Sequence, residues 1–181
     1  MRVLHGTVAT IVVCLALAGC QEDGEEPGTG SSASGTSSPS EDTTASGPAI
    51  EGDIFTVHAP DGWTKSKEFS TGFLDQYAEP GGAGRMAVAE IAGEVRPLDE
   101  VAKDNFSVFA TDGIKRKRVA DATVAGEPAY HFTADAGFGE FDESFGVVKD
   151  GNQVTITITT EGSPEERQAV IDSILGSWEW K

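Results

Sequence analysis

The sequence predicts an α+β domain: a largely antiparallel β-sheet packed with two main helices. Three observations carry this. Alternating runs rich in valine, isoleucine, threonine and aromatics recur between residues 55 and 160. Two later segments space their apolar residues at helical intervals, each with a proline at its start. Asp150-Gly151-Asn152 sits between two alternating arms, a strong hairpin signal.

Not all of the 181 residues belong to that domain. Every aromatic residue lies from Phe55 onward, and a long stretch without aromatics is unsuited to building a core. Residues 1–19 read as a secretory signal. Arg2 supplies the positive start, and Thr7 to Gly19 is an uncharged apolar run of 13 residues, against the ~20 a spanning helix needs. The run ends in Leu17-Ala18-Gly19-Cys20. Small residues before a cysteine give a peptidase access to the backbone, and a thiol can accept a diacylglyceryl group. This tetrapeptide resembles the lipobox of bacterial lipoproteins. The resemblance implies cleavage before Cys20, lipidation of its thiol, and two acyl chains that anchor the protein to the outer face of the cell membrane without spanning it.

Residues 20–48 are the expected lipidated terminus and tether. From residue 21 to 48 there are six acids, no base and no apolar side chain larger than alanine, so disorder is expected. A Gly/Ser-type coil of 28 residues spans ~30 Å r.m.s.. Its Ser, Thr and Pro content leaves an O-glycosylated stalk as the alternative.

Residues 49–181 hold 11 Val, 8 Ile and only 3 Leu, a composition that favours sheet. Phe55-Thr56-Val57-His58 is a strand, closed by the turn Ala59-Pro60-Asp61-Gly62, with Trp63 covering a core edge. Phe73 to Ala78 and Met86 to Ala92 are the next strands, joined through Pro80-Gly81-Gly82. Pro97 opens a helix in which Leu98, Val101, Ala102, Phe106 and Phe109 share a face and Gly113 is the stop. Ile114 to Val124 is extended, with a turn at Gly126-Glu127-Pro128 and a strand from Ala129 to Ala134. Phe141 to Lys149 and Val154 to Thr160 are the hairpin arms. In the second, Val154, Ile156 and Ile158 face the core and the threonines between them face away. Ser163-Pro164-Glu165-Glu166 is a capping box with proline at the first helical position. Val170, Ile171, Ile174 and Leu175 form that helix's apolar face, Gly176 ends it, and Trp178 and Trp180 return as a short strand. About seven strands and two helices result.

Three segments resemble a known family: Phe55 through Trp63, Gly126-Glu127-Pro128-Ala129-Tyr130, and Val147 through Thr160 with Ser173-Ile174-Leu175-Gly176-Ser177-Trp178. Together they are similar to the Mog1/PsbP-like α/β/α sandwich, particularly the LpqN-type lipoproteins of actinobacteria. The resemblance covers most of residues 50–181 and brings no catalytic residue. It implies an extracytoplasmic accessory or binding role.

The remaining chemistry is sparse. The sequence has 30 acids against 13 bases, a formal charge of −17, which argues against nucleic acid as partner. Two cysteines, one of them Cys14 inside the signal, exclude a disulfide framework and a thiolate metal site. No nucleophile elbow, zinc-protease helix or phosphate loop occurs. His58 and His131 sit in alternating strands and are expected to be exposed, although strands distant in sequence can bring either to a carboxylate. Asp135, Glu140, Asp142 and Glu143 surround Gly137-Phe138-Gly139 without the calcium-loop spacing, and read as a solvated acidic loop. Asn105-Phe106-Ser107 fits a glycosylation sequon but falls in the first helix.

Lys115-Arg116-Lys117-Arg118 places four bases in an acidic domain. Either it is a charged edge strand or it is a docking patch for anionic lipid, wall polymer or a partner protein. The expectation is a non-catalytic envelope lipoprotein without cofactor or bound metal, partnered by the bilayer and by an envelope protein, polymer or small hydrophobic ligand. An envelope hydrolase and a passive surface protein are the alternatives.

Overall fold

The computed structural model describes residues 44–67, 70–71, 74–109 and 113–181. Among them lie eleven strands and two helices. The early strands are β1 (Ala49–Glu51), β2 (Phe55–His58), β3 (Thr64–Lys65), β4 (Leu74–Ala78) and β5 (Arg85–Ala92), followed by helix α1 (Leu98–Phe109). Then come β6 (Arg116–Arg118), β7 (Ala122–Val124), β8 (Glu127–Gly137), β9 (Glu140–Lys149) and β10 (Asn152–Thr160), helix α2 (Pro164–Gly176) and β11 (Glu179–Trp180). The count exceeds the expected seven because β1 and β3 are additional and the extended Ile114 to Val124 segment gives two strands, β6 and β7. Strands of two or three residues carry too little alternation to read from sequence.

All pairings are antiparallel. One sheet of eight strands runs β3-β4-β5-β10-β9-β8-β6, with β7 also paired to β8. A second, three-stranded sheet runs β1-β2-β11. Register fixes the faces of the large sheet. Met86, Val88, Phe145, Val147, Val154, Ile156 and Ile158 fall on one side and join Ile50, Phe55, Val57 and Trp178 of the small sheet and its flank, with Ile171 and Ile174 of α2. Tyr130 and Phe132 fall on the other side, with Val101 and Ala102 of α1. The two helices therefore cover opposite faces. The β10 threonines face away from the first core, as expected, but toward α1 and not into open solvent. Thr159 is buried, and Thr155 and Thr157 are half-buried on the α1 side.

Local chemistry explains the element ends. The Ser163 side chain accepts from the Glu166 N–H, and the Glu166 carboxylate accepts from the Ser163 N–H at 2.8 Å, so the capping box is complete. Asp150 and Gly151 have φ 50° and 78°, the geometry of a two-residue primed turn. The turn before β8 falls one residue earlier than expected, at Ala125-Gly126 with φ 46° and 86°, and Pro128 lies inside the strand. Ile114 to Val124 is not continuous. The Arg118 guanidinium donates to Asp121 three residues on, and this kink splits the segment into β6 and β7.

Residues 44–48, at the end of the stretch expected to be tether, pack against the domain. Ala45 is buried and its N–H donates to the Ser173 carbonyl at 2.9 Å. Gly47 and Pro48 exchange backbone bonds with Ala59.

Candidate functional site

Three places on the domain gather polar chemistry. The first is a ladder on the α1 face of the large sheet. The Asn105 amide donates to the Tyr130 hydroxyl at 2.6 Å, and that hydroxyl lies 3.0 Å from Thr155 Oγ1. The Gln153 amide also donates to Thr155, Ser144 pairs with Thr157, and Thr159 donates to Asp142. Burial pushes the Tyr130 phenol above its ordinary value, while these hydrogen bonds pull it down. The ladder is satisfied internally and serves to seat α1. Asn105, read as part of a sequon, is one of its members.

The second place is a cavity of about 250 Å³ lined by β1, β4, β5 and the segment around Asp53. Ile50, Phe55, Leu74 and Val88 give it apolar walls, and Glu51, Asp53, Asp75 and Glu90 give it acidic ones. Glu90 accepts the Asp53 N–H at 2.7 Å, and Lys65 holds Asp75 at 2.6 Å. That bond, more than any other cause, raises the Lys65 ammonium above its usual range. Four carboxylates make a neutral apolar ligand a poor occupant. The sequence did not mark this cavity, because its lining comes from segments with no shared motif.

The third place is His131 on β8, whose Nε2 lies 2.7 Å from a Glu143 carboxylate oxygen on β9. Its ring stacks on Phe145 at 4.3 Å. His58 has its ring Nδ1 2.9 Å from the Gly47 carbonyl, and its backbone N–H donates to the Ser177 hydroxyl. Both histidines are half-buried, which corrects the expectation of exposed rings. Phe145 covers one face of the His131 ring, and Gly47 and Ser177 hold His58. Neither lines the 250 Å³ cavity.

The structure divides the basic stretch. The Arg116 guanidinium is only 8% exposed and lies 3.5 Å from Asp142, whose side chain is 10% exposed. Arg118 bridges Asp99 of α1 at 2.6 Å and Asp121 at 3.0 Å, and these bonds raise its guanidinium further. Lys115 and Lys117 are exposed. The Arg116 side chain is buried, so the four bases do not all reach solvent together. Alternation along an edge strand puts Arg116 and Arg118 on the α1 side, where the Arg116 side chain is covered and Arg118 stays exposed beside Asp99, and the lysines face solvent.

The acidic residues separate too. Asp135 accepts the Gly137 N–H, Glu140 pairs with Arg85, Asp142 is buried against Arg116, and Glu143 meets His131. Strand alternation puts Asp142 and Glu143 on opposite faces, so the four acids do not form one solvated loop, and of them only Asp135 and Glu140 remain beside the turn. Among the described residues, no group of three or more His, Cys, Asp or Glu is placed to hold a metal. Cys20 and the preceding Leu17, Ala18 and Gly19 lie outside the described residues. Among those described, no helix is long and apolar enough to cross a membrane.

Solved structures share this architecture. Cyanobacterial PsbP (CyanoP) from Synechocystis sp. PCC 6803 superposes with a TM-score of 0.56 at 12% identity, over 74% of this chain and 92% of that one. The fold is PsbP-like. The Saccharomyces cerevisiae Ran-binding protein Mog1p is also similar, with a TM-score of 0.51 and 15% identity, over 75% of this chain and 96% of that one. The α+β class and the PsbP- and Mog1-like sandwich stand on these likenesses. No family model matches the chain, and no curated protein matches it significantly.

Proposed function

We propose that this chain is a lipoprotein anchored outside the cell membrane through Cys20, and that its PsbP-like domain is a non-catalytic accessory or binding module of the envelope. The observation that carries the reading is Leu17-Ala18-Gly19-Cys20 at the end of a 13-residue apolar run, with an acidic Gly/Ser-rich stretch after it. The lipobox and that acidic stretch also support the finer resemblance to LpqN-type lipoproteins. The accessory role draws support from the fold, because one protein that shares it is named as Ran-binding. The partner is an envelope protein, polymer or small ligand. The acid-lined cavity favours a ligand that carries a cationic group.

Labelling cells with a radioactive fatty acid tests the anchor. The wild-type protein should take up label and sediment with membranes, and Cys20→Ser should take up none. A protein that stays unlabelled in the cytosolic fraction would contradict the reading. The second reading, an envelope hydrolase, rests on the His131–Glu143 pair alone. It predicts an ester- or amide-cleaving activity that His131→Gln abolishes.

A further inference from the structure

The β8–β9 hairpin ends in a feature that the fold itself does not use. Phe138 and Gly139 form its turn, with φ 56° and 84°. Two other two-residue turns in the domain have the same geometry, and their first positions hold Ala125 and Asp150. Aspartate and asparagine tolerate this left-handed backbone, whereas a bulky aromatic there is an outlier. Phe138 is also 106% exposed, so folding buries none of its ring. Backbone preference and solvation both oppose phenylalanine at this position. A residue that breaks local rules without a compensating contact inside the chain points to a contact outside it.

The tip is held in place. Asp135 accepts the Gly137 N–H at 2.9 Å, and Arg85 bridges Glu140 at 2.6 Å. The Arg167 guanidinium lies 3.5 Å from the centre of the Phe141 ring. A braced tip loses little freedom when it docks. Ile91, another exposed apolar residue, lies away from the tip, paired with Gln153 beside the turn at the far end of the sheet. The surroundings are acidic. Asp135 and Glu140 flank the turn. Glu161, Glu165 and Glu166 come after Thr160, which pairs with Phe141. Arg85 is engaged by Glu140, Arg167 lies over Phe141, and Lys115, next to the Arg116–Ala134 pair, adds one exposed base beside these five acids. An anionic bilayer would be repelled by this rim, while a protein pocket with basic edges would be attracted to it.

We infer that Phe138 is a docking anchor whose ring enters an apolar, basic-rimmed pocket on a protein partner. This rests on the reading of the domain as a binding module, and it names the surface and the partner's chemistry. The test places a benzoyl-phenylalanine photocrosslinker at position 138 of the full chain in its own cells, with position 108 as the exposed control. One discrete protein adduct is expected at 138 and not at 108. That protein, once purified, should bind the full chain, and the affinity should fall as salt rises. Phe138→Ala should weaken binding tenfold or more without lowering the thermal midpoint, and Phe138→Trp should stay within threefold of wild type. A lipid adduct, no adduct at 138, or a partner indifferent to Phe138→Ala overturns the anchor. A fatty-acid-labelled, membrane-bound protein with no adduct at 138 would remove this site and leave the proposed anchoring standing.

Discussion

Gly146 on β9 is where the sheet and α1 are most sensitive to a single methyl group. A Cβ there would overlap the ring and hydroxyl of Tyr130. Tyr130 is fully buried and stacks on Phe132 at 4.8 Å. Its hydroxyl joins Asn105 of α1 to Thr155 of β10. Gly146→Ala must therefore displace the ring. Overpacking of a filled site costs roughly 1–3 kcal/mol. Each of the two hydrogen bonds adds about 1 kcal/mol if broken. The sum is about 3–5 kcal/mol, and at roughly 4 °C per kcal/mol the melting temperature should fall by about 12–20 °C. Urea unfolding and calorimetry would measure it. The mechanism predicts coupling. In a Tyr130→Leu background the ring is gone, and adding Gly146→Ala should cost less than about 1 kcal/mol. A cost that is small in wild type, or equal in both backgrounds, would refute the reasoning.

Other perturbations read other parts of the fold. Ser163→Ala removes the α2 cap and should lower stability by about 1 kcal/mol, seen as a shift of a few degrees in a circular-dichroism melt. Arg116→Gln leaves Asp142 without its buried cation and should cost about 3 kcal/mol, whereas Lys117→Ser on the exposed side of the same strand should stay within about 0.5 kcal/mol in urea unfolding. The Glu94 carboxyl is held down at about 2, first by its side-chain bonds from Arg96 and then by the Arg96 backbone N–H. Because this folded value lies below the unfolded one near 4.5, the stability it contributes is full above pH 4.5 and is lost as pH falls through about 2. A carbon-detected NMR titration should find Glu94 well below the ordinary glutamate value, and Arg96→Ala should return it to the ordinary range.

The parts of this fold that the sequence disclosed are those whose signals are local. Ser163, Pro164 and Glu166 carry a helix start in four residues, Asp150-Gly151 carries a hairpin, and Phe55 to His58 carries its alternation within a single strand. What stayed hidden depends on long-range pairing. Trp180 pairs with Phe55 across most of the domain, and no local pattern announces a second sheet. The four bases at 115–118 were visible, but only the position of β6 beside α1 decides that Arg116 turns inward. Glu143 and Asp142 looked like one acidic cluster until strand alternation sent them to opposite faces. Phe138 was seen inside that cluster, yet its backbone geometry and full exposure exist only in three dimensions.

The proposal that this domain works at a membrane surface stands on Cys20, and intact mass spectrometry of the protein purified from its own membranes tests that most directly. The predicted result is a chain that begins at Cys20, with residues 1–19 absent and the cysteine carrying a diacylglyceryl thioether. A chain that retains Met1 or begins elsewhere, with an unmodified thiol at Cys20, would contradict it.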